Sequence, residues 1–308
     1  MHESDCLYRY GPPDTLQIQE IDKSVPRDDE VLISVHATSV TAADCIMRKG
    51  EPAWGRLIIG IRKPRKRFAI LGCELAGVVE AVGKDVTRFK PGDQVFGFTG
   101  FGVSAYAEYK CMPETASLAI RPANTTYEES AAAVDGATTA LFFLRDQAHL
   151  QRGQRVLIVG ASGSIGTYAV QLAKHFGAHV TGVCSTGNLD LVTSLGADRV
   201  IDYTKEDFAD GNETYDVVFD TVGKSAFSHC KGSLTDTGCY VPTVGLKNVL
   251  LKRWTAMTGG KRVVSGMSID KRDALVFIRN LIESNQLRIV IDRRYPLEQI
   301  AGDCPKAC

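Results

Sequence analysis

The sequence predicts an α/β protein in two parts, a β-rich domain and a doubly wound parallel sheet, and three observations carry that expectation. Short alternating segments broken by Gly and Pro fill the first third of the chain. Apolar strands and amphipathic helices alternate regularly after position 150. A glycine-spaced turn, Gly160-Ala161-Ser162-Gly163-Ser164-Ile165-Gly166, joins the first of those strands to the first helix. A length of 308 residues suits roughly two domains at about 150 residues each.

In chain order, residues 31–35, 77–82 and 93–97 read as strands, separated by Gly50, Gly72, Gly83 and Pro91-Gly92. From Thr126 to Asp146 the spacing is helical. Strands are then expected at 155–159, 179–183, 199–201 and 215–219, with helices at 165–175 and 189–195 between them. Apolar strands of that length joined by helical crossovers specify a parallel sheet covered on both faces. A fifth strand is expected at 239–244, a helix at 271–284 and a last strand-like run at 287–291.

Composition narrows the function. Lys+Arg and Asp+Glu both number 36, so no charge excess recruits nucleic acid or an acidic membrane surface as a general partner. No apolar run approaches the roughly 20 residues of a membrane span, and the N-terminus lacks a signal-peptide pattern. The nine cysteines form no C-x-x-C pair and read as buried thiols in a reducing, cytoplasmic compartment; Cys304 and Cys308 form a terminal pair able to oxidise. The basic run Arg62-Lys63-Pro64-Arg65-Lys66-Arg67 reads either as a solvated loop or as a localisation or polyanion signal.

The glycine turn carries the chemistry. Gly160, Gly163 and Gly166 let the backbone turn tightly and approach a pyrophosphate, whose charge the following helix N-terminus offsets. The motif differs from G-x-G-x-x-G in having Ala161 at its second position. Residues 183–188, at the end of the second strand, carry no carboxylate, whereas a site built for NAD usually places Asp or Glu there. Ser185 and Thr186 are hydroxyls able to donate to a 2′-phosphate, and Tyr203 and Lys205 can approach from the side. This pattern leans to NADPH. The other reading of the hydroxyls is that they cap the helix near Leu189.

Together these segments resemble the medium-chain dehydrogenase/reductase superfamily, and within it the zinc-independent quinone oxidoreductase (zeta-crystallin-like) group. The likeness runs through Tyr10-Gly11-Pro12-Pro13, Leu71-Gly72-Cys73-Glu74-Leu75-Ala76-Gly77, Phe89-Lys90-Pro91-Gly92-Asp93, Ala105-Tyr106-Ala107-Glu108-Tyr109, Ala137-Thr138-Thr139-Ala140, the glycine turn, Leu195-Gly196-Ala197-Asp198 and Ile201-Asp202-Tyr203. The resemblance implies a GroES-like domain over residues 1–122, rejoined by 266–308, and a Rossmann NADP-binding domain over 123–265. It implies Ser162, Ser164 and Ile165 at the phosphates and Ser185 and Tyr203 at the 2′-phosphate. It further implies Thr139 near the nicotinamide, Gly223 and Gly245 along the cofactor groove, and a homodimer through the Rossmann sheet edge.

The zinc-dependent relatives carry G-H-E; here Gly72-Cys73-Glu74 has no His, and 98–111 has no cysteine cluster, so no metal site is expected. Without a Lewis acid, hydride addition to a quinone or an activated α,β-unsaturated carbonyl is the expected reaction, because the acceptor delocalises the incoming charge. The partner is then a small-molecule electron acceptor. Catalytic candidates are Thr41 and Asp44, in Thr41-Ala42-Ala43-Asp44 where the family commonly has Asn-Pro-x-Asp. A second departure is Gly187, where close relatives carry Arg. Both departures favour an alternative, an NADPH-binding protein with little turnover that acts as a redox sensor or partner-binding protein. The stretch 301–308, with Gly302 and Pro305, opposes the closing helix and strand that the family implies, so the C-terminus is expected to be short of them.

Overall fold

Alternating apolar residues build an antiparallel sheet from the first third of the chain. The computed structural model describes residues 2–299 except 244 and 246, and these divide into two units. In the first, β1 (His2–Leu7) pairs with β2 (Leu16–Ile21). Strands β3 (Glu30–Thr38), β4 (Glu74–Val82), β5 (Gln94–Phe98), β6 (Tyr109–Pro113) and β7 (Ser117–Ile120) form a five-stranded sheet in the order β6-β3-β4-β5-β7. Val31, Ile33, Leu75, Val79, Val95, Met112 and Leu118 fill its core. Helices α1 (Ala42–Lys49) and α2 (Arg56–Ile59) lie between β3 and β4.

Helix α3 (Tyr127–Ala132) follows, and Ala131 and Val134 pack with Ala76, Phe96 and Ala119 of the sheet and with Leu275 of the returning helix Arg272–Glu283. That packing places the division between the units at Val134/Asp135, where the sequence pattern suggested 122/123.

The second unit opens with α4 (Asp135–Leu141), which runs on as a π-turn over Phe142–Gln147. Its sheet contains β8 (Arg155–Val159), β9 (His179–Cys184), β10 (Arg199–Asp202), β11 (Tyr215–Asp220), β12 (Leu234–Pro242) and β13 (Arg262–Val263). All pairings are parallel, in the order β10-β9-β8-β11-β12-β13. This is the doubly wound arrangement expected from the alternation, with helices α5 (Ser164–His175), α6 (Leu189–Ser194), α7 (Phe227–Cys230) and α8 (Lys247–Thr258) in its connections. The strand order reverses between β8 and β11, and ligands bind such sheets at that reversal, beyond the carboxyl ends of the strands.

Two expectations are corrected. Residues 287–291 form no strand: the Gln171 side chain takes both backbone groups of Arg288, accepting from its N–H at 2.7 Å and donating to its carbonyl at 3.0 Å. Cys45 is disulfide-bonded, whereas Cys6, Cys73, Cys111, Cys184, Cys230 and Cys239 are free thiols. The terminal stretch 300–308 lies outside the described residues.

Candidate functional site

The glycine turn sits at the end of β8, at the strand-order reversal, and its glycines meet different constraints. Gly160 has φ +79°, and a Cβ there would stand 2.2 Å from Val222 Cγ2. At Gly166 a Cβ would stand 2.1 Å from the Gly160 carbonyl oxygen and 2.7 Å from Ala161 Cα, so only Gly allows α5 to start directly against the strand end. Gly163 is exposed and less confined, its nearest would-be neighbour being the Gly160 oxygen at 3.4 Å. As N-cap of α5, Gly163 supplies no side-chain cap. The first-turn N–H groups of Ser164, Ile165 and Gly166, which a helix cannot bond internally, are thereby presented to an anion. Ser162 is half-buried beside them and Ser164 is exposed.

Helix α4 reaches the same turn through Gly136, where a Cβ would meet Ser164 Oγ at 2.7 Å and its carbonyl oxygen at 2.8 Å. Thr139 stands one helical turn further on, half-buried, its hydroxyl donating to Asp135 Oδ1 at 3.0 Å. One sequence signal points to Gly136: a glycine inside a helical run implies close packing or function.

The loop after β11 is tied by Asp220, a residue that pattern reading missed. Its buried carboxylate accepts from the N–H groups of Val222, Gly223 and Ser225 at 3.1, 2.8 and 3.0 Å, and from the Tyr240 hydroxyl at 2.9 Å. Burial first, then the Asp220 charge, pushes the Tyr240 hydroxyl far above the usual tyrosine range, so it stays a donor. Gly223 takes φ +73° in this loop, and Gly245 takes φ +110° after β12, where its carbonyl accepts from Asn248 N–H at 3.0 Å.

At the end of β9, Ser185 Oγ accepts from Asn188 Nδ2 at 3.1 Å, which leaves the serine proton to donate outward. The Tyr203 N–H donates to the Cys184 carbonyl at 3.1 Å, setting this exposed tyrosine beside Ser185. Sequence reading found no carboxylate along 183–188, but strand pairing sets Asp202 opposite Cys184. Thr186 first, then Thr204, hold the Asp202 carboxyl down to about 2. The Thr186 hydroxyl donates to Asp202 at 2.5 Å and Lys205 Nζ lies 3.5 Å from it. Two candidate phosphate donors are therefore already engaged with Asp202. Gly187 is open, with no atom within 4 Å of its would-be Cβ.

Thr41 and Asp44 belong to the first unit. Thr41 is the N-cap of α1 and forms a capping box with Asp44. Asp44 Oδ2 accepts from Thr41 N–H at 3.0 Å and from Thr41 Oγ1 at 2.6 Å, and Oδ1 accepts from Gly72 N–H at 2.9 Å. Gly72 has φ +94° and no room for a Cβ, which would stand 2.6 Å from Tyr106 Cδ1. Asp44 is 2% exposed. Desolvation raises its pKa against the lowering effect of these bonds, so ionised Asp44 costs stability. That cost is fully present above the raised folded value, shrinks as pH falls through it, and vanishes below the ordinary value of about 4. Asp44→Asn removes this titration but turns an N–H₂ donor toward an existing donor. We expect a net loss of about 1–3 kcal/mol at neutral pH, together with a flatter dependence of stability on pH in the acid range. Urea unfolding of both proteins across that range checks it; an Asn variant as stable as the parent at neutral pH contradicts the capping role.

Gly160, Ser162, Gly163, Ser164, Ile165, Ser185, Tyr203, Gly223 and Gly245 thus all follow the carboxyl ends of strands in the second unit, with Thr139 brought in by α4. In the first unit Cys73 Sγ lies 3.8 Å from Asp44 Oδ1; among the described residues no group of three His, Cys, Asp or Glu able to hold a metal occurs.

Comparison with known proteins accords with this geometry. The alcohol dehydrogenase GroES-like domain matches residues 27–122, and a domain described as zinc-binding dehydrogenase matches 195–302. The chain is 32% identical over 301 residues to the chloroplastic quinone-oxidoreductase homolog of Spinacia oleracea, covering 94% of this chain and 89% of that one. It is 32% identical over 310 residues to the chloroplastic NADPH-dependent alkenal/one oxidoreductase of Arabidopsis thaliana, covering 95% and 72%. The structure of the quinone oxidoreductase from Coxiella burnetii superposes with a TM-score of 0.89 at 26% identity, over 99% of this chain and 95% of that one. With a GroES-like domain, a doubly wound parallel Rossmann sheet and these relatives along nearly its whole length, the chain belongs to the quinone oxidoreductase group of the medium-chain dehydrogenase/reductase superfamily.

Proposed function

We propose that the chain binds NADPH on the second unit and reduces quinones or activated α,β-unsaturated carbonyls without a metal. One observation carries the reading: an uncapped α5 N-terminus behind a turn in which Gly160 and Gly166 admit no side chain, placed at the strand-order reversal. Relatives that include a quinone oxidoreductase homolog and an alkenal/one oxidoreductase support the substrate class.

When bound, the reduced nicotinamide supplies the hydride. The N–H groups of Ser164, Ile165 and Gly166, with the Ser162 hydroxyl, hold the pyrophosphate. Ser185 and Tyr203 hold the 2′-phosphate, and Asp220 fixes Gly223 along the groove. Thr139 sits toward the nicotinamide. In the first unit, the one Thr41 hydroxyl proton is directed to Asp44, so Asp44 acts as a positioning residue that sets Thr41. The acceptor takes its proton from solvent, which suffices because a quinone or enone delocalises the incoming charge.

The committed Thr41 proton also favours the second reading, an NADPH-binding protein with little turnover. Stopped-flow oxidation of NADPH against a panel of quinones and enones separates the two. Rapid oxidation with at least one acceptor supports the reductase; tight NADPH binding with no oxidation by any of them supports the sensor. A homodimer is part of the proposal, through β13 at the open edge of the parallel sheet, and a monomeric mass by light scattering contradicts it. The six free thiols among the described residues support a reducing, cytoplasmic setting, and the Cys45 disulfide counts against it. No helix among the described residues is long and apolar enough to cross a membrane.

A further inference from the structure

The segment linking α1 to β4 is two-faced. On its inner side Ile59 and Phe68 pack with Cys73, Val103, Met47 and Phe98. On its outer side Trp54, Leu57, Ile58 and Ile61 are 53, 66, 55 and 68% exposed. The chain then enters the run Arg62-Lys63-Pro64-Arg65-Lys66-Arg67, whose five basic residues are all exposed. A tight turn folds these two sets onto one small loop. Arg65 N–H donates to the Ile59 carbonyl at 2.8 Å, and Arg65 Nη2 donates to the Leu57 carbonyl at 3.2 Å. A Cβ on Gly60 would stand 2.0 Å from the Lys63 carbonyl oxygen, and the Tyr10 hydroxyl pins the Gly60 carbonyl at 2.6 Å. Among the described residues no carboxylate forms an ion pair with Arg62, Lys63, Arg65, Lys66 or Arg67.

We propose that this loop docks the protein peripherally on an anionic phospholipid bilayer. A chain of zero net charge concentrates five unneutralised cations in six residues, which complements an anionic headgroup layer at close range. Four large apolar side chains project beside them, one a Trp, the residue type that favours the membrane–water boundary. Charge alone would fit a polyanion equally well. The exposed aliphatic Leu57, Ile58 and Ile61 are what a bilayer receives between its headgroups and a nucleic acid does not. Contact of this kind needs no spanning helix. It goes beyond the reductase reading, and it deepens that reading where the acceptor is a lipid-dissolved quinone.

Co-sedimentation of the full chain with phosphatidylcholine–phosphatidylserine vesicles tests the proposal without turnover, so its failure is separable from failure of the reductase reading. The parent should pellet with these vesicles, far less with pure phosphatidylcholine, and less again as salt is raised. Arg62→Glu with Lys63→Glu and Lys66→Glu should weaken binding at least about thirtyfold. Leu57→Ser with Ile61→Ser should weaken it about tenfold at unchanged charge. An unaltered melting temperature shows that each variant is folded. Three results overturn the proposal: a parent that stays in the supernatant, equal pelleting with neutral vesicles, or apolar variants that bind as tightly as the parent while single-stranded RNA competes. The last would make the loop a polyanion site.

Discussion

Gly166→Ala should remove measurable NADPH binding and destabilise the protein by about 3 kcal/mol or more, whereas Gly163→Ala should leave stability nearly unchanged. The asymmetry follows from what each new methyl meets. At Gly166 it would stand 2.1 Å from a carbonyl oxygen and 2.7 Å from Ala161 Cα, both backbone atoms at the end of β8. Neither can rotate away, so α5 must shift off the sheet that Tyr168, Ala169 and Leu172 help to bury. At about 2–4 °C per kcal/mol for a unit of this size, the melting temperature should fall by roughly 6–12 °C. At Gly163 the backbone is extended (φ −79°, ψ 174°) and the nearest atom is 3.4 Å away. The methyl there is tolerated by the fold but stands before the first-turn N–H groups of α5, and NADPH affinity should fall about tenfold. Calorimetry and fluorescence titration of the two variants check this. Equal losses of stability, or Gly166→Ala protein that binds NADPH like the parent, would contradict the assigned geometry.

The parallel sheet was legible because its signals are local: each strand is a short apolar run, and the glycine spacing marks the strand-to-helix turn. Ser185 and Tyr203 could be proposed for the same reason, since each directly follows a recognisable strand. Asp202 was missed because its proximity to Ser185 comes from strand register, Asp202 opposite Cys184, and register between distant strands leaves no trace in either segment alone. Asp220 and Gly136 were passed over likewise, one acting through the loop it ties and the other through the helix it lets approach. For Thr41 and Asp44 the sequence showed a donor and an acid three residues apart. That is equally the pattern of a helix capping box, and burial to 2% exposure with satisfied oxygens favours the cap. Residues 287–291 have the composition of a strand, but a side-chain amide took the hydrogen bonds that a neighbouring strand would have made.

Ser185→Asp should raise the dissociation constant for NADPH about a hundredfold while leaving NADH little changed or improved, and Gly187→Arg should act in the opposite direction. The parent binding surface offers the 2′-phosphate an outward Ser185 proton and the exposed Tyr203, with a carboxylate, Asp202, already one strand away. Thr186, Thr204 and Lys205 occupy that carboxylate, which is why a second anion can be accepted beside it. A carboxylate at 185 has no such partners. It would face the phosphate directly, and losing a charge-assisted bond and gaining a like charge together cost about 3 kcal/mol. The same carboxylate can accept from the unphosphorylated ribose hydroxyl, so NADH does not share the penalty. At 187 an arginine side chain enters open space from a backbone that imposes no positive φ, and its guanidinium adds one bidentate donor pair. NADPH binding should tighten about tenfold, with the gain eroded by salt. Isothermal titration of parent and variants with both nucleotides checks the set. A parent that binds NADPH and NADH equally, or a Ser185→Asp protein with an unchanged ratio, would move the 2′-phosphate away from the end of β9.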